Sequence, residues 1–196
     1  MSASKLPPLI LASASPRRSD LLRQTGLEFS VLPSDADEVS PEHLSPQELC
    51  QLNAHRKARA VAKKCPDALV LGADTLVFLD RSVLGKPESK AEARSMLLRL
   101  QGRTHQVVTG VALLQLRTHL ESLFAVVTDV RFRPLTPREV DEYLTRINPL
   151  DKAGAYAAQG FGTEIIERIE GSYTNVVGLP MEETERVLRG FGIRGR

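Results

Sequence analysis

The stretch Ala68-Leu69-Val70-Leu71-Gly72-Ala73-Asp74-Thr75-Leu76-Val77-Phe78 sets the tightest limit on how this chain folds. Its apolar residues fall on both faces of a strand rather than on alternate ones. A strand of that kind sits at the centre of a sheet covered on both sides. Asp74 stands inside the run. Aspartate is depleted from strands and is seldom buried without a partner, because unpaired burial is costly. The carboxylate must bind a metal, meet a cation, or sit where the strand opens into a cleft. The alternative is a structural aspartate capping a loop at a strand break. The cost of burial favours function.

The first strand candidate is Leu9–Leu11, followed by Ala12-Ser13-Ala14-Ser15-Pro16-Arg17-Arg18. Ser15 before Pro16 predicts a helix start, with serine capping the free amides and proline in the first turn. Arg17 and Arg18 then fall where the helix dipole favours acids. Two arginines beside exposed amides and the Ser13 and Ser15 hydroxyls read as an anion pocket, for phosphate above all. A solvated basic helix start is the competing reading.

Further along, Ser19–Gln24 predicts a short helix ended by Gly26, and Leu27–Pro33 a second strand. Ser34–Ser40 is an acidic turn containing Asp37 and Glu38, and Pro41–Ser45 is loop. A long helix opens at Ser45-Pro46-Gln47-Glu48 and runs to about Lys64. Leu49, Asn53, Lys57, Ala60 and Val61 share one of its faces by spacing, so Asn53 and Lys57 interrupt an apolar stripe. A lysine aimed inward needs a partner unless it snorkels to the surface.

Beyond the central strand, Leu79–Ser82 is a turn and Val83-Leu84 a short return strand. Gly85-Lys86-Pro87 fixes a sharp turn that aims Lys86 in one direction. Ser89–Leu100 is an amphipathic helix. Thr104–Leu116 and Leu123–Arg133 form a long antiparallel hairpin. A capped helix starts at Thr136-Pro137-Arg138-Glu139 and runs to about Arg146. Leu150–Gly160 is neither helix nor strand; its small residues let backbone approach a ligand, with Asp151, Lys152 and Gln159 as acceptor, cation and amide. Glu164–Ile169 is a strand, Gly171–Tyr173 a turn, and Met181–Arg189 the last helix.

At 196 residues the chain is one domain, or one domain with a small lobe. A net charge of +2 is too small for bulk nucleic-acid binding, so anion recognition must come from local placement of charge. No apolar run reaches membrane-spanning length, and Met1–Pro8 has no signal-peptide core. The expectation is a cytoplasmic protein. Cys50 and Cys65 lie on one predicted helix roughly 22 Å apart, too far for a disulfide. The four histidines are scattered, and each reads as a surface or satisfied residue rather than a ligand.

No phosphate-binding loop, dinucleotide fingerprint or serine elbow is present. What remains is a set of cations (Arg17, Arg18, Lys57, Lys86, Lys152) and acids (Glu38, Asp74, Asp151). The mixture suits a triphosphate with a divalent ion: cations neutralise phosphate oxygens, and carboxylates hold metal or activate water.

The chain resembles the Maf family of nucleotide pyrophosphatases over nearly its full length. The resemblance rests on Leu11–Arg18, Asp37-Glu38, Arg56-Lys57-Ala58, Gly72–Thr75, Gly85-Lys86-Pro87, Gln101-Gly102, Asp151–Tyr156 with Gln159-Gly160, and Asn175–Pro180, in order and at compatible spacing. It implies an α/β fold: an elongated mixed central sheet flanked by helices, with two lobes around a cleft, as in inosine triphosphatase. It implies hydrolysis of a nucleoside triphosphate to monophosphate and pyrophosphate with a divalent cation, Mg²⁺, Mn²⁺ or Co²⁺. By the same resemblance Asp74 activates the attacking water and Glu38 helps hold the metal. Arg17, Arg18, Lys57 and Lys86 hold phosphates, with Ser13 at the pocket floor, and Lys152 joins the substrate-binding set. Arg17, Thr75 and Gln159 match the branch of the family that takes dTTP and UTP, rather than the branch that prefers 7-methyl-GTP. Ala36 stands where the family often has valine, so Asp37 and Glu38 both remain candidates for the metal-side acid. The implied partner is a small-molecule nucleotide, with no nucleic acid and no membrane, and a homodimer is allowed. The rival function is a nucleotide-binding regulatory module in septum formation, in which Asp74 only holds metal.

Overall fold

The computed structural model describes residues 6–41, 43–80 and 82–195. Parts of three expected segments, namely Met1–Pro8, Pro41–Ser45 at Glu42 and Leu79–Ser82 at Arg81, lie outside the described residues.

In chain order the elements are β1 (Leu9–Leu11), α1 (Pro16–Arg23), β2 (Phe29–Val31), α2 (Pro46–Lys64), β3 (Leu69–Leu79), β4 (Ser82–Leu84), α3 (Lys90–Leu100), β5 (Thr104–Gln115) and β6 (Leu120–Phe132). They continue with α4 (Pro137–Arg146), two 3-10 turns (Ala153–Ala155 and Gly160–Glu164), β7 (Ile166–Glu170), α5 (Tyr173–Val177) and α6 (Met181–Gly190). The strands form one mixed sheet in the order β2-β1-β3-β5-β6-β7, with β4 beside β3. β1 pairs parallel to both β2 and β3, whereas β3–β4 and β6–β7 are antiparallel. The expected α/β class, mixed sheet and flanking helices are what the fold contains. The doubly apolar run is β3, near the middle of the order and buried along most of its length.

By contacts the chain divides into two compact units. The first is Met1–Asp74, Thr109–Ala125 and Gly178–Arg196; the second is Thr75–Val108 and Val126–Val177. In the first unit α2 supplies Ala54, Ala58, Val61 and Ala62 to a core with Ile10, Ala12, Val70, Ala112 and Leu114. The second has its own core, in which Leu97, Leu100, Val130, Phe132, Val140 and Tyr143 are all buried.

The helix ends follow local chemistry. Ser45 and Glu48 form a reciprocal capping box at α2, as do Thr136 and Glu139 at α4. α1 begins at Pro16, where Ser15-Pro16 predicts it, and runs to Arg23. Its N-cap Ser15 makes no side-chain cap bond, contrary to expectation. The hydroxyl used is that of Ser13, which accepts from the Ser15 amide at 3.2 Å. The stretch after Gly171 is also more regular than expected, because Tyr173–Val177 is a short helix.

The buried face of α2 runs through Ala54, Ala58 and Ala62, while Ala60 is only half-buried. Alanines face glycines here, so the helix backbone lies directly on the sheet. A Cβ at Gly72 would stand 2.8 Å from the Ala58 amide nitrogen, and one at Gly110 would overlap the Cys50 and Gln51 backbone. Backbone cannot step aside cheaply. Gly110→Ala is therefore expected to cost about 3 kcal/mol, the upper end for overpacking. Urea unfolding of the purified variant measures it, and a midpoint equal to that of the parent protein would contradict the packing described.

Candidate functional site

Asp74 closes the first unit at the middle of β3 and is 3% exposed. Its Oδ1 accepts a hydrogen bond from Lys57 Nζ at 2.6 Å. The same ammonium donates to Glu38 Oε1 at 2.5 Å. Lys57 thus bridges two carboxylates from two other parts of the chain. The inward lysine of α2 and the aspartate of β3, each predicted to need a partner, satisfy one another. Side-chain exposure grades across the trio, from 4% at Asp74 through 15% at Lys57 to 47% at Glu38. The attraction is therefore strongest on the Asp74 side, where water screens least.

The acidic turn is strapped onto α2 at successive positions. Arg56 Nε donates to the Asp37 carbonyl at 3.2 Å. Asn53 Oδ1 accepts from the Val39 amide at 2.9 Å, while its Nδ2 donates to the Val39 carbonyl at 3.0 Å. The same Nδ2 lies 3.4 Å from Asp74 Oδ2. Between these two anchors Glu38 points its carboxylate to Lys57. The structure thereby separates the two candidate acids: Glu38 joins Asp74 through Lys57, while Asp37 contributes its backbone carbonyl.

Asn53 is the site residue that sequence reasoning passed over. It was visible as a polar interruption one helical turn before Lys57 but had no assigned task. It satisfies both backbone groups of Val39 while being 2% exposed. Such a buried amide is tolerated because its polar atoms are paired.

The opening turn comes to the same place. Arg18 Nε donates to the Gly178 carbonyl at 2.8 Å, and its Nη1 donates to Ser13 Oγ at 3.2 Å. Two bonds at fixed angles orient the guanidinium plane. Burial lowers the Arg18 pKa, opposed chiefly by the negative charge of Asp74; Arg17 adds to the lowering and Glu38 opposes it. Arg17 and both acids are therefore within electrostatic reach of Arg18. The structure brings Ser13 and Arg18 together, and Arg17 is half-buried beside them.

The other predicted residues belong to the second unit. Thr75 follows Asp74 in β3 and is half-buried. Lys86 is exposed after β4, where Gly85-Lys86-Pro87 is irregular rather than the sharp turn expected. Lys152 Nζ donates to the Asn148 carbonyl at 2.7 Å and to Asp151 Oδ1 at 2.6 Å, so this cation is held by its own loop. Gln159 is exposed at the start of the second 3-10 turn.

Two carboxylates drawn onto one ammonium are a donor set that suits a hard divalent cation. Magnesium in particular takes one or two protein carboxylates and fills its remaining positions with water and substrate phosphate. Among the described residues no group of three His, Cys, Asp or Glu side chains could hold a metal ion. No helix among the described residues is long and apolar enough to cross a membrane. Cys50 and Cys65 are free thiols, as expected. His105 departs from the expectation of a satisfied histidine: it is 2% exposed, and its Nδ1 has no hydrogen-bond partner.

The family model described as Maf-like protein matches residues 8–191. A dTTP/UTP pyrophosphatase of Akkermansia muciniphila is 48% identical over 189 residues, covering 96% of this chain and 99% of the relative. One from Moorella thermoacetica is 51% identical over 185 residues, covering 94% and 95%. A third, from Halalkalibacterium halodurans, is 45% identical over 194 residues, covering 97% and 100%.

Proposed function

Because this chain belongs to the Maf-like protein family, we propose that it is a nucleoside triphosphate pyrophosphatase taking dTTP and UTP, with Asp74 as general base. The observation that carries the reading is the Glu38–Lys57–Asp74 bridge, with bonds of 2.5 and 2.6 Å, beside the fixed guanidinium of Arg18.

Water attacks the α-phosphorus, the bond from that phosphorus to the α,β-bridging oxygen breaks, and pyrophosphate leaves. Asp74 takes the proton of the attacking water. A carboxylate has about four lone-pair sites, and among the described residues Lys57 and Asn53 engage two of them. Lys57 holds the carboxylate in one orientation, so the base does not have to be ordered during the reaction. Arg17, Arg18 and Ser13 receive phosphate oxygens, the guanidinium of Arg18 being already aimed by Gly178 and Ser13.

Glu38 and Asp74 are the residues that would hold a divalent cation. When bound, the cation supplies charge to the phosphate oxygens and raises the acidity of the attacking water. Lys86 is assigned to phosphate, and Thr75, Lys152 and Gln159 to the nucleoside. The chain is read as one catalytic domain, 1–196. The partner is a small-molecule nucleotide in the cytoplasm, with neither membrane nor nucleic acid involved.

The test is a panel of nucleoside triphosphates with the purified protein and Mg²⁺, Mn²⁺ or Co²⁺. Release of monophosphate and pyrophosphate is expected, with dTTP and UTP ahead of 7-methyl-GTP by about tenfold or more in kcat/KM. Orthophosphate as the product, or nucleotide binding without turnover, would overturn the reading; the second outcome is what a regulatory binding module gives.

A further inference from the structure

The irregular stretch from Asp151 to Gly160 is held by hydrogen bonds from three separate parts of the chain and packs on a fourth, all in the second unit. The Gly154 amide donates to the Gly85 carbonyl at 3.0 Å, at the end of β4. Gly154 has φ +69°, and a Cβ there would stand 3.0 Å from a Val77 methyl, so the turn sits flat on β3. Tyr156 Oη pairs with His105 Nε2 of β5 at 2.9 Å. Tyr143 of α4 grips one residue twice: its Oη accepts from the Ala157 amide at 3.1 Å and donates to the Ala157 carbonyl at 3.3 Å.

Three features make this more than core packing. His105, Tyr143 and Tyr156 are each under 7% exposed, at 2%, 2% and 6%, so these bonds form away from competing water. Phe132 stacks edge-on against both His105 and Tyr156, at 4.8 Å between centroids in each case, and fixes both rings. The functional residues also flank the braced ones. Lys152 lies two residues before the pinned Gly154, and Gln159 two residues after the pinned Ala157. A hydrophobic core needs no hydroxyl on Tyr143 or Tyr156. A loop that presents two polar side chains at fixed places does need its backbone held.

We propose that Tyr143, Tyr156 and His105 are positioning residues that fix the Lys152–Gln159 loop for nucleoside recognition. This rests on the assignment of Lys152 and Gln159 to the nucleoside made above. None of the three touches the reacting atoms. The brace therefore acts on selection of the nucleoside and leaves the phosphate-binding side chains alone.

Tyr143→Phe and Tyr156→Phe remove one oxygen each and keep the rings. Kinetics of the full chain with dTTP are expected to show KM raised about tenfold with kcat unchanged. The inhibition constant of inorganic pyrophosphate, which has no nucleoside, is expected to stay at the parent value. A purely structural role would instead lower the active fraction and leave KM alone, and that result overturns the proposal. So does a parallel loss of pyrophosphate affinity. A variant that fails to fold is replaced by amide hydrogen exchange on the parent protein. Gly154 and Ala157 are expected to exchange as slowly as the strand amides of β5, and exchange at loop rates overturns the brace. A parent protein that turns over no nucleotide overturns the proposed function and this assignment with it. Normal parent turnover with unchanged KM in both variants removes this assignment alone.

Discussion

Asp74→Asn is expected to lower kcat about a thousandfold while leaving the protein folded and able to bind nucleotide. The two side chains are nearly the same size, and an amide oxygen can still accept from Lys57. The charge left behind is tolerated, because Lys57 retains Glu38 at 2.5 Å in a position where water reaches the pair. Stability is therefore expected to change by no more than about 1 kcal/mol. What the variant lacks is an acceptor for the proton of the attacking water. Orientation by Arg18 and Ser13 survives, which is why some residual rate remains. Single-turnover kinetics with dTTP, binding of a non-hydrolysable analogue and a thermal melt separate these effects. Near-parental turnover would remove Asp74 from the chemistry.

That prediction draws on features of unequal visibility in the sequence. The capping boxes of α2 and α4 were legible because every group involved lies within three residues of the others. The central position of β3 was legible because burial on both faces leaves a continuous apolar run. The need of Lys57 and Asp74 for partners could be read from the cost of burying charge. That they would choose one another is a matter of register between a helix and a strand 17 residues apart in the chain, and no periodicity encodes it. Ser13 and Ser15 show the same limit at shorter range. Either hydroxyl could have served the turn, and Ser13 also receives Arg18, whose guanidinium is held by a carbonyl 160 residues away. Asn53 was noticed as a break in an apolar stripe, yet its partners are backbone atoms of Val39, which side-chain patterns do not reveal. The Asp151–Gly160 stretch was legible as a place where backbone approaches a ligand but not as an ordered one, since its partners, His105 of β5 and Tyr143 of α4, are distant in the chain.

The opposite half of the ion pair behaves differently, and Lys57→Met is expected to destabilise the protein by about 3 kcal/mol, well beyond the effect of Asp74→Asn. The asymmetry follows from exposure. Glu38, with its side chain 47% exposed, can return to water, whereas Asp74, at 4%, cannot. Without Lys57 the Asp74 carboxylate keeps the 3.4 Å contact with Asn53 and the longer-range attraction of Arg18, too little to offset burial of a charge. Methionine fills the volume of the lysine stem, so the loss reflects charge rather than a cavity. The double variant Lys57→Met with Asp74→Asn removes the stranded charge as well, and is expected to regain most of the stability lost in Lys57→Met alone. Urea unfolding of the four proteins completes the cycle. A double variant less stable than Lys57→Met alone would mean that Asp74 is not stranded, and that the lysine serves packing instead. Turnover does not follow stability in this series. Lys57→Met is expected to lose about a hundredfold in kcat, because the base is no longer oriented, and the double variant, though more stable, is expected to be the least active of the four.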